Sequence, residues 1–119
     1  MVRAAERFAY FYFEESCGQC TPCREGTGWL YRILNRIEHG QGREEDMALL
    51  LDLADKIQGR TICALGDAAA MPTRAFVKVY KDEFLHHIHN KSCTVRAGGY
   101  SSPPDPARSA AWDSKMAAD

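Results

Sequence analysis

Apolar positions recur along this chain at spacings of three and four residues, and no stretch alternates with the period of two that marks a strand. Four helical segments are expected. The first runs from about Val2 to Glu15, with Ala4, Ala5, Phe8, Phe11 and Tyr12 on one stripe. The second opens at Thr21-Pro22, read as an N-cap followed by proline at the first helical position. Leu30, Ile33, Leu34 and Ile37 form its stripe and Gly40 stops it. The third starts near Arg43-Glu44-Glu45-Asp46, acids that favour a helix N-terminus. Met47, Leu50, Leu51, Ala54 and Ile57 follow, and Gly59 ends it. A loop then carries Thr61 to Asp67. The fourth is expected from Pro72 to about Asn90, with Phe76, Val79, Tyr80, Leu85 and Ile88 at helical spacing. The fold class expected is all-α, a four-helix antiparallel bundle with short connections.

From about Lys91 the pattern stops. Gly98-Gly99, Ser101-Ser102-Pro103-Pro104 and Pro106 cannot bury enough apolar surface to offset their ordering entropy. The expected division is a helical domain over 1–90 and a disordered, flexible tail over 91–119, in which Trp112 is the one residue able to dock. Gly26 and Gly28 each weaken the start of the second helix by up to about 1 kcal/mol relative to alanine. A bulky group packed against that backbone would offset the loss.

Composition changes this picture only by exclusion. The chain has 119 residues, 45% apolar and 26% charged, with a formal net charge of −1. That balance offers no footprint for nucleic acid or an anionic membrane. No apolar run reaches the roughly 18–20 residues needed to cross a bilayer, so no direct membrane insertion is expected. The aromatic run Phe8–Phe13 is too short for a span and has the wrong flanks for a signal peptide. A soluble, cytoplasmic chain in a reducing compartment is expected, which disfavours disulfides.

Five cysteines then require an explanation. Cys17, Cys20 and Cys23 stand two residues apart, so three sulfurs face one tight loop and each can bind a different iron of a cubane. Cys63 can supply the fourth thiolate, as in the C-x2-C-x2-C opening with a remote partner used by bacterial-type ferredoxins. Gly18 permits close backbone approach, and Pro22 directs Cys23 into a helix N-terminus whose free N–H groups favour negative charge. Arg24, Arg60 and Arg74 are candidates for tuning a cluster's potential, beside the ordinary reading of each as a solvated charge.

Other chemistries fit less well. Structural zinc commonly takes four thiolates from two separated two-cysteine knuckles, not three plus one. A thioredoxin-like pair at Cys17/Cys20 lacks strand–helix context and leaves Cys23 idle. Cys93 is read as a free thiol. His39, His86, His87 and His89 are read as exposed helix-end residues, not ligands. Gly26-Thr27-Gly28 and Gly40-Gln41-Gly42 complete no dinucleotide fingerprint. No catalytic residues stand out.

Glu15-Ser16-Cys17-Gly18-Gln19-Cys20-Thr21-Pro22-Cys23-Arg24-Glu25-Gly26-Thr27 resembles the C-terminal part of the F-type subunit of respiratory complex I, which bears the flavin and oxidises NADH. Gly59-Arg60-Thr61-Ile62-Cys63-Ala64-Leu65-Gly66-Asp67-Ala68-Ala69-Ala70 resembles the same family's fourth-ligand segment. The likeness runs from Val2 to about Ile88, and related flavin subunits occur in NAD-reducing hydrogenases and formate dehydrogenases. The resemblance implies a [4Fe–4S] cluster on Cys17, Cys20, Cys23 and Cys63. That cluster would take electrons from FMN, reduced by NADH on an upstream domain that this sequence does not contain. Electrons would leave toward quinone through clusters of neighbouring iron–sulfur subunits. FMN and NAD belong to the parent subunit, so NADH oxidation is not assigned to this chain alone. A peripheral arm on the cytoplasmic side of the membrane is the implied location. One apolar face should meet the flavin domain, with Phe8, Phe11, Phe13 and Trp29 as candidates beside the ordinary reading of core packing. The alternative function is a zinc- or cluster-stapled interaction module without redox activity.

Overall fold

A computed structural model describes residues 1–93, all of whose regular structure is helical. Five helices occur there: α1 (Val2–Glu15), α2 (Thr21–Glu38), α3 (Glu45–Ile57), α4 (Leu65–Val79) and α5 (Lys81–Asn90). Of the tail expected over 91–119, residues 94–119, Trp112 included, lie outside the described residues. Each of α1 to α4 packs on its neighbour in sequence and α4 returns to α1, while α5 lies against α2 and α4. None of these helices is long and apolar enough to cross a membrane.

The α2 stripe of Leu30, Ile33, Leu34 and Ile37 is buried as expected, and so are Met47, Leu50, Ala54 and Ile57 of α3. The α1 stripe is not. Its buried face is Val2, Ala5, Glu6, Ala9 and Phe13, whereas Phe8 and Phe11 are 42% and 56% exposed. Small Ala5 and Ala9 let the α1 backbone come close to its neighbours, and the larger rings of Phe8 and Phe11 are left outside. Phe13 does join the core, stacked on Tyr31 with ring centroids 6.1 Å apart.

The expected fourth helix is two helices, and it begins earlier. Pro72 is not at a helix start but the eighth residue of α4, where it forgoes one backbone donor. The chain bends at Tyr80, which leaves helical geometry at φ −106°, ψ 31°. Buried Ala69, Ala70, Thr73, Val77, Phe84 and Ile88 keep helical recurrence straight through that bend, so the pattern conceals it. Val79 and Tyr80, expected on the apolar stripe, are exposed.

Two buried contacts fix the helix ends. Asp46, fully buried, accepts from Arg36 through both oxygens (Nε 3.1 Å to Oδ2) and from the Arg43 N–H at 2.9 Å. This pins the α2–α3 turn, and a buried ion pair bonded on both oxygens avoids an unpaired charge. At the other end of α3, the buried Gly26 of α2 faces Ile57, and a Cβ there would lie 2.7 Å from its Cδ1. Ile57 is therefore the group that lies against the glycine-weakened first turns of α2. Through that contact the end of α3, and the loop after it, are held against the start of α2.

Candidate metal centre

The first three cysteines sit where α1 gives way to α2. Ser16 closes α1 in an extended conformation, Gly18 turns the chain at φ +77°, and Cys20 is the N-cap of α2. Thr21 and Pro22 are the first two helical residues, so α2 starts one residue earlier than the sequence suggested. The first turn closes with Arg24 N–H donating to the Cys20 carbonyl at 2.9 Å. The N-cap residue makes no side-chain cap bond, and the positive end of the helix lies at the cysteine loop.

Cys63 arrives on the loop between α3 and α4. The Thr61 hydroxyl donates to the Cys63 carbonyl at 2.8 Å within the loop, and the Gly59 N–H donates to Asp67 Oδ1 at 2.6 Å, tying the start of the loop to α4. Gly66 makes room for this fold: a Cβ there would lie 2.6 Å from Thr61 Oγ1.

All four thiols are free, with Cys17 and Cys63 exposed, Cys20 partly covered and Cys23 buried. Burial pushes the Cys23 thiol up, and charge on Cys20, Cys63 and Cys17 would push it further. The hydroxyl of Ser16, 3.2 Å from Cys23 Sγ, acts in the opposite direction. Cys63 thus joins the three-cysteine loop in one electrostatic neighbourhood although forty residues separate it from Cys23. The donor set is entirely sulfur, which suits iron–sulfur clusters or zinc rather than hard cations. Among the described residues no group of three or more His, Cys, Asp or Glu is arranged to hold a single metal ion. Four thiolates on one zinc stand only about 4 Å apart, given Zn–S bonds of about 2.3 Å. A cubane would instead spread its four thiolates over separate irons.

The arginines divide. Arg24 reaches Glu25 at 3.3 Å and lies near Gly18 at the cysteine loop. Arg60 is exposed beside the Cys63 loop. Arg74 binds Asp55 at 2.8 Å and Gln58 at 2.9 Å, bracing α4 on the end of α3. The histidine reading needs one correction. His87 is buried, its Nδ1–H donating to the Glu83 carbonyl at 2.8 Å and its Nε2 3.6 Å from Glu38 Oε2. His86 and His39 are half-buried and His89 is exposed, 2.7 Å from Glu44 Oε1. Cys93 is partly covered and unpaired by any disulfide. The sequence reading gave no role to Ser16, which was visible only as a motif residue, or to Thr61.

Comparison with known families decides the affiliation. Residues 3–87 match the family model of the NADH-ubiquinone oxidoreductase-F iron-sulfur binding region, a 4Fe-4S family. The chain belongs to this family. It is an F-type iron–sulfur binding region, which makes the [4Fe–4S] cluster its cofactor and electron transport within an oxidoreductase its setting. The NADH-quinone oxidoreductase F subunit of Streptomyces coelicolor is 46% identical over 112 residues, 94% of this chain and 23% of that protein. The F subunit of Mycobacterium bovis is 50% identical over 93 residues, 78% of this chain and 21% of that protein. That of Rickettsia typhi is 46% identical over 90 residues, 76% and 21% respectively. The F-type chain described here therefore spans less than a quarter of the length of these relatives.

Proposed function

We propose that this chain is the electron-relay domain of an NADH-quinone oxidoreductase F subunit, with Cys17, Cys20, Cys23 and Cys63 as the ligands of one [4Fe–4S] cluster. The observation that carries the ligand assignment is placement: Cys17, Cys20 and Cys23 lie at the α1–α2 junction, and the Gly26–Ile57 contact holds the end of α3, from which the Cys63 loop leaves, against the start of α2. Bound there, a [4Fe–4S] cluster supplies one-electron chemistry. The chain's own residues hold and shield it. Cys23 is buried in the first turn of α2, Thr61 fixes the loop of Cys63, and the α2 N-terminus offsets the negative charge of the site. In this reading α1 to α4 are the antiparallel bundle of a helical domain over 1–90. Electrons enter from FMN, reduced by NADH on the remainder of the subunit, and continue toward quinone through clusters of neighbouring subunits. The domain then sits in a peripheral arm on the cytoplasmic side of the membrane.

Zinc is the competing occupant, in a structural module without redox activity. Iron, acid-labile sulfide and zinc analysis of anaerobically purified protein separates the two, with a visible spectrum before and after dithionite. The relay predicts about four iron and four sulfide per chain and bleaching on reduction. Cys63→Ser should lose that normal cluster and lower thermal stability, because ligation is coupled to folding. One zinc and no colour, or a Cys63→Ser protein with full iron and unchanged stability, would sink the assignment.

A further inference from the structure

Ser16 is adjacent in sequence to Cys17, yet its hydroxyl lies 3.2 Å from the sulfur of Cys23, seven residues on. The same oxygen accepts the Gly18 N–H at 3.3 Å. These two contacts orient the hydroxyl. A sulfur bound to iron is a thiolate and has no proton to give, so the O–H must donate to sulfur while its oxygen accepts from Gly18. Cys23 is the buried cysteine of the four, at 5% exposure, so water competes little for that sulfur. In a poorly solvated setting a hydrogen bond to a charged acceptor is worth more than one on the surface.

We infer that Ser16 sets the reduction potential of the cluster by donating its hydroxyl hydrogen bond to the Cys23 thiolate. This rests on the reading of Cys23 as a ligand. Reduction brings one electron from the donor and places extra negative charge on the cluster and its sulfurs. The O–H···S bond then strengthens; the proton stays on Ser16, and no covalent bond forms or breaks. Hydrogen bonds to cluster sulfurs are an established means of raising a potential. Ser16 is a positioning and tuning group, not a ligand.

The test is a redox titration of the cluster-loaded chain followed by EPR, which counts loaded clusters only, so partial cluster loss does not blur it. Ser16→Ala should lower the equilibrium constant for reduction about tenfold, which is ~59 mV for one electron. Ser16→Thr keeps the hydroxyl and should stay near the parent value. Wild-type protein exchanged into D2O should give a strongly coupled exchangeable deuteron in pulsed EPR of the reduced cluster. An unshifted or raised potential in Ser16→Ala overturns the inference, as does a Ser16→Thr shift equal to that of Ser16→Ala. If Ser16→Ala holds no cluster, absence of the deuteron coupling in wild type overturns it alone. Cys23→Ser separates the underlying reading: a normal cluster in that variant means Cys23 is not a ligand. A ruined cluster there, with an unshifted Ser16→Ala potential, defeats only the role of Ser16.

Discussion

At residue scale, the cysteine loop is set by small groups that fit against one another. Gly66 is the sharpest case. A methyl there runs into the Thr61 Cγ2 methyl and also meets Thr61 Oγ1 at 2.6 Å and Cβ at 2.9 Å, and Thr61 is β-branched with little rotamer freedom to retreat. Thr61 must move as a whole, which costs its hydrogen bond to the Cys63 carbonyl. Gly66→Ala should destabilise the protein by about 1–3 kcal/mol, the usual cost of overpacking. It should also speed iron loss from the site, as thermal unfolding and iron release to a chelator would measure. Adding Thr61→Ser removes the crowded methyl and should recover part of the stability. If the double variant is no better than Gly66→Ala, the crowding argument fails. The clustered cysteines were legible as a candidate site because C-x2-C-x2-C is a local spacing that chemistry dictates. Ser16 was not, since nothing local indicates that a serine beside one cysteine serves another.

At the scale of elements, legibility followed how well apolar spacing tracks burial. Leu30, Ile33, Leu34 and Ile37 are all large, and the pattern placed them correctly in the core. On α1 the buried positions are mostly small and include the charged Glu6, so hydrophobicity pointed to the wrong face. The bend at Tyr80 left no mark because the helical phase continues across it, and Pro72 suggested a start where α4 simply accommodates it. Charge hidden between elements was equally invisible. Glu38 on α2 faces His87 on α5, and Glu6 of α1, held by Asn35 Nδ2 at 3.3 Å, belongs to the same buried region. Burial pushes the Glu38 carboxyl up; His87, Arg3 and His39 oppose this, while Glu6 reinforces it. The folded state thus favours protonated Glu38. Its contribution is complete below the ordinary carboxylate range and is lost as pH rises through the raised folded value. Glu38→Gln, neutral throughout, should match wild type in acid and become progressively more stable than it toward neutral and alkaline pH. Urea unfolding across that range measures the gap. A deficit of Glu38→Gln that opens as pH rises toward neutral would mean the Glu38–His87 ion pair, not desolvation, governs the site.

At the scale of the whole molecule, a string of aromatic rings runs along the surface of the described residues. Phe11 meets Tyr12 at 5.3 Å, Tyr12 meets Phe8 at 5.2 Å, Phe8 meets Phe76 at 6.4 Å, and Phe76 meets Tyr80 at 6.4 Å. This string crosses from α1 to α4, and Phe8 and Phe11 within it are 42% and 56% exposed. Contiguous exposed apolar surface of this kind marks interaction sites in soluble proteins. Under the proposed function, the partner for this face would be the remainder of an F-type subunit. Rings that stabilise the domain alone and rings that dock it can be told apart. Phe8→Ala with Phe11→Ala should change the domain's own stability by no more than about 1 kcal/mol per residue, since both sit on the surface. Central aromatic anchors of an interface commonly cost more than about 1.4 kcal/mol when truncated, a tenfold loss in affinity. Calorimetric titration with the flavin-bearing remainder of the F-type protein should therefore give at least a tenfold weaker Kd for the double variant. Leu49→Ala on α3, exposed but outside the string, is the control and should bind as wild type does. Equal affinity for the double variant and the parent would place the docking face elsewhere, and Trp29, 45% exposed in the third turn of α2, would be the next ring to test.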